Sequence, residues 1–116
     1  MHIKALIPAL LLASASATAW AHHGWSSYDA NKKVTVQAAP TDVQYRNPHA
    51  EIDIVHEGET WDVILAPIGR MESRGLSKDD LTVGKTITIE GYPRNDGKHE
   101  IRAERIIVDG KTIELR

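Results

Sequence analysis

Apolar and polar residues alternate in short stretches from Lys33 to the end of the chain, and this period constrains the fold more than any other feature. Successive side chains of a strand point to opposite faces, so the alternation predicts strands with one buried face. Pro40 falls within the first strand and donates no ladder hydrogen bond, so it predicts a bulge or an edge there. The predicted strands are marked by Val34, Val36, Ala38, Val43 and Tyr45; Ala50, Ile52 and Ile54; Trp61, Val63 and Leu65; Ile87 and Ile89; Ile101, Ala103, Ile106 and Val108; and Ile113 and Leu115.

Turn signals separate the alternating stretches. Glu57-Gly58-Glu59 and Asn95-Asp96-Gly97 each predict a hairpin turn, because glycine accepts the positive φ that tight turns require. A change of parity near Arg105 predicts a bulge in the fifth strand. Between Pro67 and Gly84 the alternation stops, and apolar residues are spaced as in one or two short helical turns: Ile68, Met71, Leu76 and Leu81.

These elements predict a mainly β domain over residues 33–116, a small OB-like barrel of five to six strands with a short helical insert. The position of the helical insert between the third and fourth strands favours this barrel over a small β-sandwich. A chain of 116 residues is short enough for a single core. The formal net charge of -2 gives no electrostatic reason to expect a nucleic-acid partner.

Residues 1–21 have the pattern of a secretory signal peptide, with Lys4 in a short basic start, an apolar run and then small residues up to Ala21. The apolar run is much shorter than the roughly 20 residues that a bilayer-spanning helix needs, so no membrane span is predicted. We therefore expect an exported, periplasmic protein that begins after this segment.

The predicted cleavage site determines which residue carries the new amino group. Ala19-Trp20-Ala21 fits the small-x-small rule, and cleavage after Ala21 makes His22 the N-terminal residue. Ala15-Ser16-Ala17 and Ala17-Thr18-Ala19 are competing sites. Residues 22–32 then form an N-terminal arm that carries His22 and His23 in front of the barrel.

Six histidines and no cysteine exclude a thiolate site, so any transition-metal site must rest on His, Asp, Glu, Met and backbone or terminal groups. The amine and the ring Nδ1 of an N-terminal His22 would close a six-membered chelate, and one further imidazole would complete a planar three-nitrogen site. That geometry favours Cu(II), which also binds most tightly in the divalent series. His23 offers a ring beside this chelate, and His49 is the expected third partner.

His49 follows Pro48 in a corner that proline makes stiffer than an ordinary loop. Its place at the beginning of the second strand predicts a position at the barrel rim, where the arm could return. The alternatives are a disordered His22-His23 tail that binds copper without a structured site, and a His49 that is only a surface residue.

The other candidate residues are expected to have a structural role or none. We expect Trp25 and Asp29 to anchor the arm, although an aromatic ring could also cover a metal face and Asp29 could hydrogen-bond an imidazole. Met71 is predicted to lie in the core. His56 and His99 beside hairpin turns are predicted to be exposed residues without a role.

Three motifs together resemble a family of short exported bacterial proteins classed as a domain of unknown function: His22-His23-Gly24-Trp25 through Asp29, Asn47-Pro48-His49, and Gly91-Tyr92-Pro93 with Asp96-Gly97. The resemblance covers essentially the whole chain after the signal. Gly24 stands where serine is more usual in that family, which leaves the histidines intact. The resemblance implies export and a similar fold, and it implies no activity.

A mature N-terminal histidine is also similar to that of copper-brace proteins, namely periplasmic copper carriers and lytic polysaccharide monooxygenases. This similarity concerns the site and not the fold. We therefore expect copper carriage or sequestration through His22, His23 and His49, with a periplasmic protein that delivers or receives the ion as a further partner. Two alternatives stay open: a metal-free envelope module that binds a small ligand or a protein, and an oxidative copper enzyme. No catalytic residue is predicted.

Overall fold

A computed structural model describes residues 24–116, in which seven strands form one curled sheet, a half-barrel, beside one short helix. The strands are β1 (Val34–Ala38), β2 (Asp42–Gln44), β3 (Glu51–His56), β4 (Glu59–Ile64), β5 (Ile87–Pro93), β6 (Glu100–Val108) and β7 (Lys111–Glu114). Helix α1 (Ile68–Ser73) follows β4, and 3-10 turns occupy Trp25–Ser27 and Lys78–Asp80. No helix in residues 24–116 is long and apolar enough to cross a membrane.

The strands are ordered β1-β5-β6-β4-β3-β2, and β7 adds to β6. Neighbouring strands are antiparallel except β4 and β6, which run parallel. A parallel pair needs a crossover, because both strands must begin at the same end of the sheet. Helix α1 and β5 belong to this crossover, which carries the helix to the end of the sheet where β4 finishes.

The mainly β class and the short helical insert are confirmed, but the prediction of five to six strands is wrong. The predicted first strand is two strands, because the chain breaks at Pro40 between β1 and β2. β1 pairs with β5, whereas β2 pairs with β3 at the other end of the strand order. Proline removes the ladder donor at the break, and the two halves of the stretch then join different partners.

The core lies on one face of the curled sheet, and the alternation of apolar residues explains which side chains reach it. Ile52 and Ile54 of β3 are almost fully buried, as are Val63 of β4 and Ile101 of β6, and Met71 of α1 is buried among them as predicted. The predicted turn at Glu57-Gly58 is confirmed, since both residues have positive φ. A capping box between Ser77 and Asp80 begins the second 3-10 turn.

The bulge predicted from the parity change near Arg105 is confirmed. Glu90 pairs with Arg105, but the next residue, Gly91, pairs with Ala103, so β6 contains one extra residue at Glu104. The strands approach closely at this point: a Cβ on Gly91 would lie 2.3 Å from the carbonyl oxygen of Arg102 and 2.9 Å from the Cα of Ala103. Both obstacles are backbone atoms, so a side chain would force the β5–β6 pair apart.

We therefore predict that Gly91→Ala lowers the free energy of unfolding by at least about 2 kcal/mol, as overpacking against backbone does. Gly69→Ala is the matched control, because a Cβ there meets nothing within 4 Å and the residue lies in α1. Alanine at this helical site should be neutral or stabilise by about 0.5–1 kcal/mol. Urea unfolding of both variants measures the difference, and equal stabilities would contradict the close approach at Gly91.

Candidate functional site

The sheet face opposite the core carries two neighbouring rows of side chains that run across the strands. The first row consists of Asp42, Asp53, Asp62 and Glu100, which are direct cross-strand partners in that order. The second row consists of Gln44, Glu51, Ile64, Arg102 and Tyr92, also cross-strand partners in that order. One row is therefore acidic, and the other places an arginine beside an aliphatic and an aromatic residue.

The described part of the arm, residues 24–32, is anchored to the end of β5 next to these rows. Tyr28 forms an antiparallel bridge with Arg94, and the Asp29 N–H donates to the Pro93 carbonyl at 2.8 Å. The side-chain amide of Asn95 donates to the Ser26 carbonyl at 2.9 Å. Tyr28 is buried, and its hydroxyl donates to Glu100 of the acidic row.

Trp25 lies over two guanidinium groups. The guanidinium carbon of Arg102 is 4.4 Å from the Trp25 ring centroid, and that of Arg116 is 5.3 Å away. The ring also packs edge-on against Tyr28 and Tyr92. Trp25 remains 40% exposed, so it covers these arginines from the solvent side rather than entering the core. The anchoring role predicted for Trp25 agrees with these contacts.

His49 precedes β3 and lines a cleft of about 170 Å³ beside the same two arginines. The cleft lies between the end of β4, the beginning of α1 and the end of the chain. Its lining consists of Pro48, His49, Ile64, Leu65, Ala66, Pro67, Arg70, Arg102 and Arg116. The lining thus contains three arginines and no acidic side chain, and we call it the arginine cleft.

The charges of the arginine cleft weaken one another. Burial, followed by repulsion from Arg102 and Arg70, lowers the pKa of Arg116 to about 10. Burial also lowers the pKa of Arg102, and Arg70 adds to this effect. Elsewhere the opposite holds: hydrogen bonds with Glu114 and Glu90 raise the pKa of Arg105 above its ordinary value. The positive charges of Arg102 and Arg116 are therefore less stable than that of Arg105, which carboxylates stabilise.

The acidic row also concentrates like charge. Adjacent strands lie about 4.8 Å apart, and like charges on directly opposite residues are destabilising. Burial raises the pKa of Asp62 to about 8, helped by a hydrogen bond with Glu51 and by the charges of Glu51, Glu100 and Asp53. The raised pKa favours the protonated form of Asp62, which relieves part of the repulsion in the row.

His56 and His99 pack on Trp61 rather than standing free at their turns. The ring of His99 stacks on Trp61 with centroids 4.6 Å apart, and His56 meets the same indole edge-on at 5.5 Å. Trp61 and His99 line a larger cleft of about 430 Å³ together with Arg94. Arg94 is paired there with Asp96 and Glu100, so this second cleft contains no comparable group of arginines.

Of the predicted metal ligands, His22 and His23 lie outside the described residues, as does the predicted signal peptide. His49 is half-buried, and its Nδ1 lies 3.6 Å from a carboxylate oxygen of Glu51. Within residues 24–116 no three histidine, aspartate or glutamate side chains are grouped so that they could hold a metal ion. Asp29 accepts a hydrogen bond from the N–H of Asn31 at 3.0 Å and so caps the turn in the arm.

Sequence reasoning missed the arginines of the cleft. Arg70, Arg102 and Arg116 are far apart in the chain and share no motif. One signal was present for Arg102, which lies between the core residues Ile101 and Ala103 and must face away from the core. The other two arginines reach the cleft only through the crossover and through the packing of the end of the chain.

Comparison with known families gives one match over most of the chain. The model of a family of unknown function, DUF6152, matches residues 9–102. No curated protein matches the sequence.

The raised pKa of Asp62 predicts a pH-dependent stability. The folded state retains the proton up to about pH 8, whereas an unfolded aspartate releases it near pH 4, so the stability of the native protein falls as pH rises through this window. Asp62→Asn should therefore raise the melting temperature at pH 8 and lose that advantage towards pH 4.

Asp96→Asn is the control of opposite sign, because hydrogen bonds from Arg94 hold the pKa of Asp96 well below its ordinary value. Its loss should lower the melting temperature at pH 8, and the difference from the parent should shrink only below about pH 4, where the unfolded aspartate is protonated. Melting curves of the three proteins from pH 2 to pH 8 test both expectations. A parallel pH profile for Asp62→Asn and the parent would contradict the account of the acidic row.

Proposed function

The chain belongs to DUF6152, a family of unknown function, and we propose that it is an exported metal-binding protein that carries or sequesters copper through His22, His23 and His49. The proposal includes removal of residues 1–21 as a signal peptide and a periplasmic location. It also includes a periplasmic protein partner that delivers or receives the ion. Reversible binding is sufficient for this role, and no catalytic residue is assigned.

The observation that carries the proposal is the return of the arm to the cleft of His49. Trp25 packs on Arg102 and Arg116, and both arginines line the cleft together with His49. His23 and His22 are the two residues that precede Gly24 in the sequence, and consecutive Cα atoms are 3.8 Å apart. The tether to His49 is therefore short, which supports a site shared between the arm and the rim.

The chemistry of His49 also fits a ligand. A metal-binding histidine commonly has a carboxylate beside its second ring nitrogen, which fixes the orientation of the ring. The Glu51 carboxylate at 3.6 Å from Nδ1 is suited to this role and leaves Nε2 for an ion. An amine and two or three imidazoles would supply nitrogen ligands alone, a set that favours copper.

The arginines restrict where a cation would bind. Three guanidinium groups repel a divalent ion across the cleft, so nitrogen ligands must offset an unfavourable charge. Glu51 compensates on the side of His49. The ion is therefore proposed to bind at the histidine end of the cleft, away from Arg70 and Arg116.

We further propose that the half-barrel is an OB-like barrel. The split first stretch supports this, because β1 pairs with β5 and β2 pairs with β3 at the two ends of the strand order. One continuous piece of chain thus bridges both edges of the sheet, as a partly open barrel requires. The insertion of α1 before β5 agrees with the same arrangement.

We predict that His49→Ala weakens Cu(II) binding by more than tenfold, because loss of a ligand or of its support commonly costs at least that much. Competition titration of the purified protein with a Cu(II) chelator measures the affinity. Intact-mass measurement of the exported protein, expected to begin at His22, is made on the same sample.

His99→Ala is the matched control, since it removes an imidazole that stacks on Trp61 and does not line the arginine cleft. Its Cu(II) affinity should equal that of the parent. A peptide of sequence His-His-Gly measures the contribution of the terminus alone. Equal affinities of parent, His49→Ala and peptide would overturn the structured site.

A further inference from the structure

We propose that the arginine cleft is a binding site for one small oxyanion, a carboxylate or a phosphate, held by Arg70, Arg102 and Arg116. This inference does not depend on the proposed copper site. It concerns the arginines of the same cleft and ligands of the opposite charge. It assigns a role to three residues for which the metal hypothesis has no use.

Arg70 and Arg116 lack a carboxylate side chain as counter-charge among the described residues. Neither Arg70 nor Arg116 forms an ion pair with any carboxylate side chain in residues 24–116, whereas Arg94 and Arg105 each pair with at least two. Residues 1–23 contain no aspartate or glutamate, so they cannot supply one either. Arg70 and Arg116 therefore have no side-chain anion from residues 24–116, and an external anion is the natural complement of these two.

The guanidinium groups of Arg70 and Arg116 have hydrogen-bond donors to offer a ligand. Arg116 donates to the carbonyls of Leu65 at 2.6 Å and Leu115 at 3.1 Å, while its buried Nε has no hydrogen-bond partner among the described residues. The guanidinium of Arg70 makes one hydrogen bond within residues 24–116, to the Leu115 carbonyl at 3.1 Å. Each guanidinium has five N–H groups, so donors remain on both. The existing bonds fix the positions of the two groups and thus preorganise them.

The arginine cleft is small, and the walls around its arginines are largely apolar. A volume of about 170 Å³ suits a small anion rather than a polymer. The remaining walls are formed by Ile64, Leu65 and Ala66, with Pro48 and Pro67 at the edges. Apolar walls exclude water and so strengthen a charge-assisted hydrogen bond. A bound oxyanion would also raise the lowered pKa values of Arg102 and Arg116 towards their ordinary range.

The test is a calorimetric titration of the metal-free protein with inorganic phosphate and, separately, with acetate, in Tris chloride at low ionic strength. Chelator used to remove metal must be dialysed away, because it is itself a carboxylate. We expect saturable binding at one site per chain for at least one of the two anions, and the preferred anion identifies the source of the oxyanion. Absence of saturable binding by both would overturn the proposal.

Arg70→Gln is the principal variant, because Arg70 is exposed on α1 and its replacement should leave the fold intact. It should weaken anion binding at least tenfold, as the loss of one charge-assisted donor pair does. Arg116→Gln should have a similar effect, with its melting curve recorded because Arg116 also packs on Trp25.

Arg105→Gln is the matched control, since it removes the same charge from β6 at a position that carboxylates already occupy. It should change the affinity less than threefold. If Arg105→Gln weakens binding as much as Arg70→Gln, the attraction is general surface charge and the site does not exist. Because no metal is present, the result is independent of the copper titration.

Discussion

The parallel pairing of β4 with β6 determines both charged features of this domain. It sets Asp62 beside Glu100 and Ile64 beside Arg102, so the acidic row and the arginine cleft are consecutive steps of one ladder. The crossover that a parallel pair requires also brings α1 to the end of β4, and Arg70 with it. An antiparallel neighbour in place of β6 would offer neither arrangement.

The N-terminal arm packs on the sheet face that the β4–β6 pairing arranges. Its aromatic residues Trp25 and Tyr28 lie on the face opposite the core, where they contact Arg102 from the second row and Glu100 from the first. Ile64 of that face is buried although its neighbours on the ladder are polar. The described arm residues that precede the half-barrel are therefore part of the structure, and Trp25 packs on two arginines that line the cleft of His49.

Local patterns predicted the strands, the Glu57-Gly58 turn, the bulge near Arg105 and the burial of Met71, because each depends on residues within a few positions of one another. A bulge or an edge was predicted at Pro40, but the pairing of the two halves with different strands was not, since it depends on which distant strand each half joins. The arginine cleft was missed for the same reason. His49 was identified from its proline, but its surroundings depend on the parallel ladder and the end of the chain.

The charges on the outer face are separated by sign rather than paired. An ordinary solvent-exposed sheet places opposite charges across from one another, as this domain does with Arg105 between Glu90 and Glu114. At the site, burial raises the pKa of Asp62 and lowers that of Arg116, and Glu100 of the acidic row pairs with Arg94 rather than with an arginine of the cleft. A cation at His49 and an oxyanion beside Arg70 and Arg116 would add opposite charges to the same cleft. They would attract each other across one cleft, and linkage then requires that each raise the affinity of the other by the same factor.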